Sequence, residues 1–293
     1  MPTTTTTKFY NLGTDTCITQ AGKVVRFGRT SLKDSTGAYN KIAEGTVVDK
    51  AFWDALVQNI DVTKRVHVSP LIKEFASEAP EKKYKEYPDG TKYELADGPR
   101  TITGTFPEVP FRFIKYLQSS ACSSDGMWLL TDKGNYIGYD RDGSGDSFPI
   151  PFKVLVGMGY FETSDDIQNV KFSLDIPNEV QDANLFPTSA TADLVNTNGL
   201  VQIEMKASAP SSTGYTISPN VYGLDYTALL STDISGYDET ADAVIAVTSI
   251  TRTGGNYVVV FASPTSTNVV RIQETAVLTA KGFSFNTVTE TIA

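Results

Sequence analysis

At 293 residues the chain is long enough for two domains that each bury a core of their own. A net charge of −9 argues against an affinity for nucleic acid driven by phosphate neutralisation. No run reaches the roughly 18 apolar residues of a membrane span. MPTTTTTKFYNLGTD also lacks a basic region followed by an apolar core, so synthesis without Sec export is expected, with no membrane partner.

Residues 1 to about 45 read as irregular and extended. A threonine run is followed by short β-like pieces such as KVVRF (Lys23 to Phe27), with turn signals at Asp34-Ser35 and Thr36-Gly37. Such a segment is either an arm that packs on a neighbouring molecule or a frayed terminus. In VVDKAFWDALVQNI, Asp49 is placed to cap a helix. Phe52, Leu56 and Ile60 recur at spacing four, with Trp53 and Val57 beside them, which predicts about three turns of helix laid on a sheet. His67 stands in VHVSP as the single histidine and is expected to be structural. Cys17 and Cys122 form no CxxC and are expected to be reduced thiols.

From Glu81 to Arg100, Pro88-Asp89-Gly90 marks a turn between two short strands rich in Tyr and Lys. Charge on both faces excludes a core hairpin. It is either a solvated flap or an intermolecular arm whose Tyr84, Tyr87 and Tyr93 are covered by another subunit. TITGTFPEVPFRFIKYLQSSA passes from strand to helix, with Pro110 in the first helical turn.

Met127 to Pro177 carries the strongest pattern, four strands joined by three turns. In the last, Val170, Phe172, Leu174 and Ile176 alternate with Lys171, Ser173 and Asp175, the period of a half-buried strand. In the strand before it, Gly157 and Gly159 predict a bulge or a close backbone approach. Two acidic turns lie between these strands: Asp140, Asp142 and Asp146 in the first, Glu162, Asp165 and Asp166 in the second. The first has the carboxylates and glycines that suit Ca²⁺, but not the spacing of an EF-hand loop, so a solvated hairpin tip is the expectation. No metal site and no cofactor are expected. Neither turn is placed as a hydrolase carboxylate pair, and no phosphate-binding glycine loop precedes a helix. The chain is not expected to be an enzyme.

After Pro177, NEVQDANLFPTSATADLVNTNG reads as a polar linker. Beyond it Val201, Ile203, Met205 and Ala207 alternate with polar residues. VIAVTSI, YVVVF, VVRI and TAVLTA are further β-like runs, so a small β-sandwich is expected. The fold class is therefore mainly β, a β-sandwich or barrel with one or two short helices, plus a second all-β sandwich. The expected domains are 1–187 and 188–293.

The stretches FPEVPFRFIKYLQ, MWLLTDKGNYIGY and FKVLVGMGYFETSDDIQNVKFSLDI resemble the tail-tube proteins of long-tailed bacteriophages, which share their fold with the inner tubes of contractile injection systems. The C-terminal part looks like the immunoglobulin-like domains appended to virion proteins. The resemblance implies a major tail tube subunit in the virion, assembled in the host cytoplasm. Its homohexameric rings would stack into a DNA conduit and meet other tail proteins. Asp140, Asp142, Asp146, Glu162, Asp165 and Asp166 would then be candidates for a lumenal face that repels DNA. The rival expectation is a head decoration protein or a surface-displayed adhesin that binds glycans.

Overall fold

The computed structural model describes residues 22–78, 84–94, 100–107, 125–160, 169–177, 180, 184–221, 224–285 and 287–293. The helix expected after Pro110, both cysteines and the turn that carries Glu162, Asp165 and Asp166 lie outside them. The chain divides into two compact units. One gathers Thr63–Thr197 with the chain up to Leu56, the other Val57–Val62 with Asn198–Ala293.

The first unit is built on β1 (Val24–Ser31), β2 (His67–Val68), β3 (Lys73–Glu78), β4 (Tyr84–Glu86), β5 (Lys92–Glu94), β6 (Arg100–Pro107), β7 (Asp125–Thr131), β8 (Asn135–Tyr139), β9 (Ile150–Tyr160), β10 (Asn169–Ile176) and β11 (Leu185–Ser189). All but β4 and β5 form one nine-stranded sheet, ordered β11-β8-β7-β9-β10-β6-β3, with β1 and β2 on the free side of β7. The sheet curls into a half-barrel because β9 serves two partners. Ile150 to Phe152 pair with β7, and the strand then continues along β10. Where Val170 and Phe172 face Gly159 and Val156, the register slips. That is the bulge the two glycines predict, and a bulge bends its strand.

Curling brings β1 over β6 and β10. The Phe27 ring meets Phe106 and Phe172 edge-on at 6.0 Å each, and Phe106 stacks on Phe172 at 4.4 Å. Gly104 lies opposite Phe172 in the register, and a Cβ there would come within 2.6 Å of that ring. Only glycine leaves the aromatic room at this position.

The opposite face of β1, β7 and β8 is covered by a second layer. Helix α1 (Lys50–Val57) starts where expected, with the Asp49 carboxylate accepting from the Phe52 amide at 2.8 Å. It makes about two turns rather than three. Its buried side chains are Trp53 and Val57, whereas Ile60 lies beyond the helix and is exposed. Trp53 packs over Gly28. The choice of stripe follows the larger ring, which the flat floor at a glycine accepts.

Two further expectations are corrected in this unit. The β-like piece KVVRF is a strand as expected, but β1 is a central strand that supplies core residues Val24 and Phe27 and not part of an arm or a frayed terminus. The supposed linker after Pro177 holds β11, paired with β8 from Leu185↔Tyr139 to Ser189↔Asn135, followed by buried Ala190, Ala192 and Leu194. The Thr191 and Ala192 amides donate to Val48 O, and the Arg26 guanidinium donates to Thr197 O at 2.7 Å. Small apolar residues at every second position suffice to bury a strand-like segment that looks polar overall.

The second unit holds β12 (Val201–Ser211), β13 (Gly214–Val221), β14 (Leu224–Asp225), β15 (Ile234–Asp238), β16 (Ala243–Ile245), β17 (Val247–Thr253), β18 (Asn256–Phe261), β19 (Val269–Glu274), α2 (Ala276–Ala280), β20 (Phe283–Phe285) and β21 (Val288–Thr291). One sheet runs β17-β18-β13-β12-β20 with β14 beside β13; the other runs β16-β15-β19-β21. Ile203, Ile217 and Val259 from the first sheet meet Ile234, Val270 and Ile272 from the second in one core. The Tyr215 hydroxyl donates across it to Val270 O at 3.0 Å. VIAVTSI, expected as one strand, splits at Ala246 into β16 and β17 of different sheets. TAVLTA, expected as β-like, forms the single helical turn α2 that buries Leu278. Alanine and leucine favour helix locally.

Both tryptophans, Trp53 and Trp128, belong to the first unit, so their fluorescence reports its unfolding alone. Phe172→Ala is expected to lower the stability of that unit by about 3–5 kcal/mol in denaturant titrations followed by tryptophan emission. A loss below about 1 kcal/mol would show that the curl is held elsewhere.

Candidate functional site

The acidic loop between β8 and β9 is tied to the segment that precedes α1. Arg141 lies over the Tyr39 ring at 3.6 Å, with the Lys33 ammonium on the same ring at 4.7 Å. Ile42 and Ser147 exchange a pair of backbone hydrogen bonds, each 2.9 Å. The Asp146 carboxylate accepts from the Lys41 ammonium at 2.6 Å and from the Glu44 amide at 2.9 Å. Asp140 turns inward, accepting from the Gly143 amide at 2.7 Å and the Gly145 amide at 3.3 Å. Asp142 accepts from the Ser144 amide at 3.2 Å and is exposed.

The hydrogen bond from Lys41 holds the Asp146 carboxyl below its usual range, and the Ser144 side chain does the same for Asp142. Both therefore stay ionised under mildly acidic conditions. The three carboxylates do not converge. Among the described residues no group of three or more His, Cys, Asp or Glu is placed to hold a metal ion. The sequence places three acids in this loop but does not reveal that Asp140 and Asp142 accept loop amides while Asp146 is held by the distant Lys41 and Glu44.

Beside the loop opens a cleft of ≈ 460 Å³. Its floor is the covered face of β8 and β11, with Tyr136, Phe186 and Thr188; Ile42 to Thr46 form one wall, and Asp140, Ser147 and Asn184 the other. Burial raises the Tyr136 phenol above its ordinary pKa, so it remains a protonated donor, with the Thr188 and Ser147 hydroxyls close by. Ser147 is buried beside the Tyr136 hydroxyl. No sequence motif marks this cleft. It joins three distant stretches, one of them the segment expected as a linker.

The hairpin β4–β5 forms a two-stranded sheet by itself. Pro88-Asp89-Gly90 makes the turn, with Gly90 at φ +80° and Tyr87 N donating to Thr91 O at 2.9 Å. A three-residue loop closed by a left-handed glycine is a common hairpin connection. Tyr84 is placed by its backbone, opposite Glu94. Tyr87 and Tyr93 meet edge to face at 5.2 Å and remain 43% and 60% exposed, so much of both rings is still in water.

Compared with known protein families and with curated proteins, the chain matches none. Its function is therefore argued from these surfaces.

His67 in β2 pairs with Arg29 of β1 in the register. Arg29 Nε donates to Asp125 at 2.7 Å, and Arg65 is buried nearby. Burial first, then Arg65 and Arg29, push the imidazole down from 6.5 to about 4. A half-buried site that keeps the imidazole neutral fits a structural role. Between pH 6.5 and about 4 the unfolded chain binds the proton and the folded chain does not, so stability rises with pH across that window. As pH falls through it, the first unit is expected to lose roughly 3 kcal/mol. The loss should be absent in His67→Gln, and a wild-type stability that stays flat from pH 6.5 to 5 would contradict the assignment.

Proposed function

We propose that the chain is a self-assembling structural subunit of the tail-tube type, with an immunoglobulin-like unit appended. The observation that carries the reading is the hairpin β4–β5, which among the described residues pairs with no other strand. A lone two-stranded hairpin is marginal in water. Exposed tyrosines gain most when a partner covers their rings, which is why this residue type is enriched at interfaces. A neighbouring copy supplies the cover that the hairpin lacks among the described residues, and the occupant of Tyr87 and Tyr93 is then a second molecule of this chain.

The curled sheet supports the same reading. In the tail-tube arrangement such sheets join side by side into a ring of six, and rings stack into a conduit through which DNA passes without sticking. Asp142, exposed and ionised, is the described acid best suited to repelling phosphate on such a path. Other tail proteins would meet the ends of the stack, in the virion.

The immunoglobulin-like reading rests on strand order. Taking β12, β13, β15, β16, β17, β18, β19 and β21 as A, B, C, C′, D, E, F and G, the sheets run D-E-B-A and C′-C-F-G. That is the division of strands in immunoglobulin domains. The unit departs from the antibody pattern by having no inter-sheet disulfide and by placing β20 parallel to β12.

Replacing Tyr87 and Tyr93 together with Ser is expected to raise the concentration needed for assembly at least tenfold in sedimentation velocity. The tryptophan-monitored unfolding midpoint of the unassembled chain should stay unchanged. A midpoint that falls with the loss of assembly would show that the hairpin packs within its own chain. Equal sedimentation of variant and wild type would remove the hairpin from the interface.

A further inference from the structure

The cleft beside the acidic loop has no part in the assembly reading, yet it has the composition of a binding site. We propose that it holds one ring unit of a neutral carbohydrate. At ≈ 460 Å³ it falls within the range of small-molecule sites, about 300–1,000 Å³. Phe186, half-buried, gives its floor an aromatic ring, and the C–H face of a sugar ring packs favourably on such a surface.

The polar groups are of the kind that read hydroxyls. Asn184 and Thr188 each offer both a donor and an acceptor. Ser147, buried beside the Tyr136 hydroxyl, adds a further hydroxyl to the lining.

Charge narrows the class further. Glu44 and Asp140 line the cleft, so phosphates and acidic sugars are repelled. A cation would be drawn to them, but both Asp140 oxygens already accept loop amides. The remaining lining offers uncharged hydroxyls and an amide, which a cation uses poorly. A neutral, hydroxyl-rich ring fits the set.

Saturation-transfer NMR on the full chain with the methyl glycosides of glucose, galactose and N-acetylglucosamine tests this. At least one glycoside is expected to receive saturation. Ala43→Trp, which fills the cleft from an exposed position, should abolish the transfer, and Phe186→Leu should weaken binding at least tenfold. Circular dichroism melting of Ala43→Trp should match the wild type. Transfer to none of the glycosides overturns the proposal, as does transfer that survives Ala43→Trp undiminished. Tighter binding of spermidine or of glucose 6-phosphate than of the neutral glycosides also overturns it, because the site would then select charge.

Discussion

The contact of Phe27 with Phe106 and Phe172 is the constraint on which the first unit depends. A nine-stranded sheet has two faces to cover, and this one covers one of them with itself. That is possible because β9 leaves β7 for β10 and bends at its bulge, which carries β6 and β10 round to meet β1. Gly104 leaves the space in which the Phe172 ring lies flat against Phe106. Without this cluster the two ends of the sheet have no reason to approach.

Once the inner face is filled, the outer face of β1, β7 and β8 must be covered by something else. Trp53 from α1 and the alternating Ala190, Ala192 and Leu194 do so, held by Val48 O and Arg26. Covering a sheet with short, irregular pieces leaves gaps at their margins. The cleft over Tyr136 and Phe186 is such a gap, walled by the loop that Lys41 and Tyr39 hold in place. The site is thus a consequence of how the sheet curls. The second unit solves its burial problem differently, by closing two sheets on a shared core, with the Tyr215 hydroxyl bonded across it.

Regular features were legible in the sequence. The alternation from Val170 to Ile176 is strict because β10 has one buried and one partly open face, and period two follows from that geometry. Asp49 as a cap and Pro88-Asp89-Gly90 as a turn were legible because each acts through its own backbone neighbours. What escaped depends on distant partners. Ala190, Ala192 and Leu194 are too few and too small to stand out among polar neighbours, and only Val48 and Arg26 make them structural. VIAVTSI opens on four apolar residues without a break, so nothing local reveals that Ala246 switches sheets. Leu278 is buried on either a strand or a helical turn, and period alone does not choose between them in so short a run. The cleft had no local signal at all, since its floor and walls come from three separate stretches.

The proposal is that copies of this chain assemble, with the hairpin of one covered by the next. Electron cryo-microscopy of the purified full chain at assembly concentration tests it most directly. The account predicts rings of six that stack about an open channel, with density for Tyr87 and Tyr93 buried against a neighbouring subunit. Particles that remain single subunits, or rings in which both tyrosines face solvent, would contradict it.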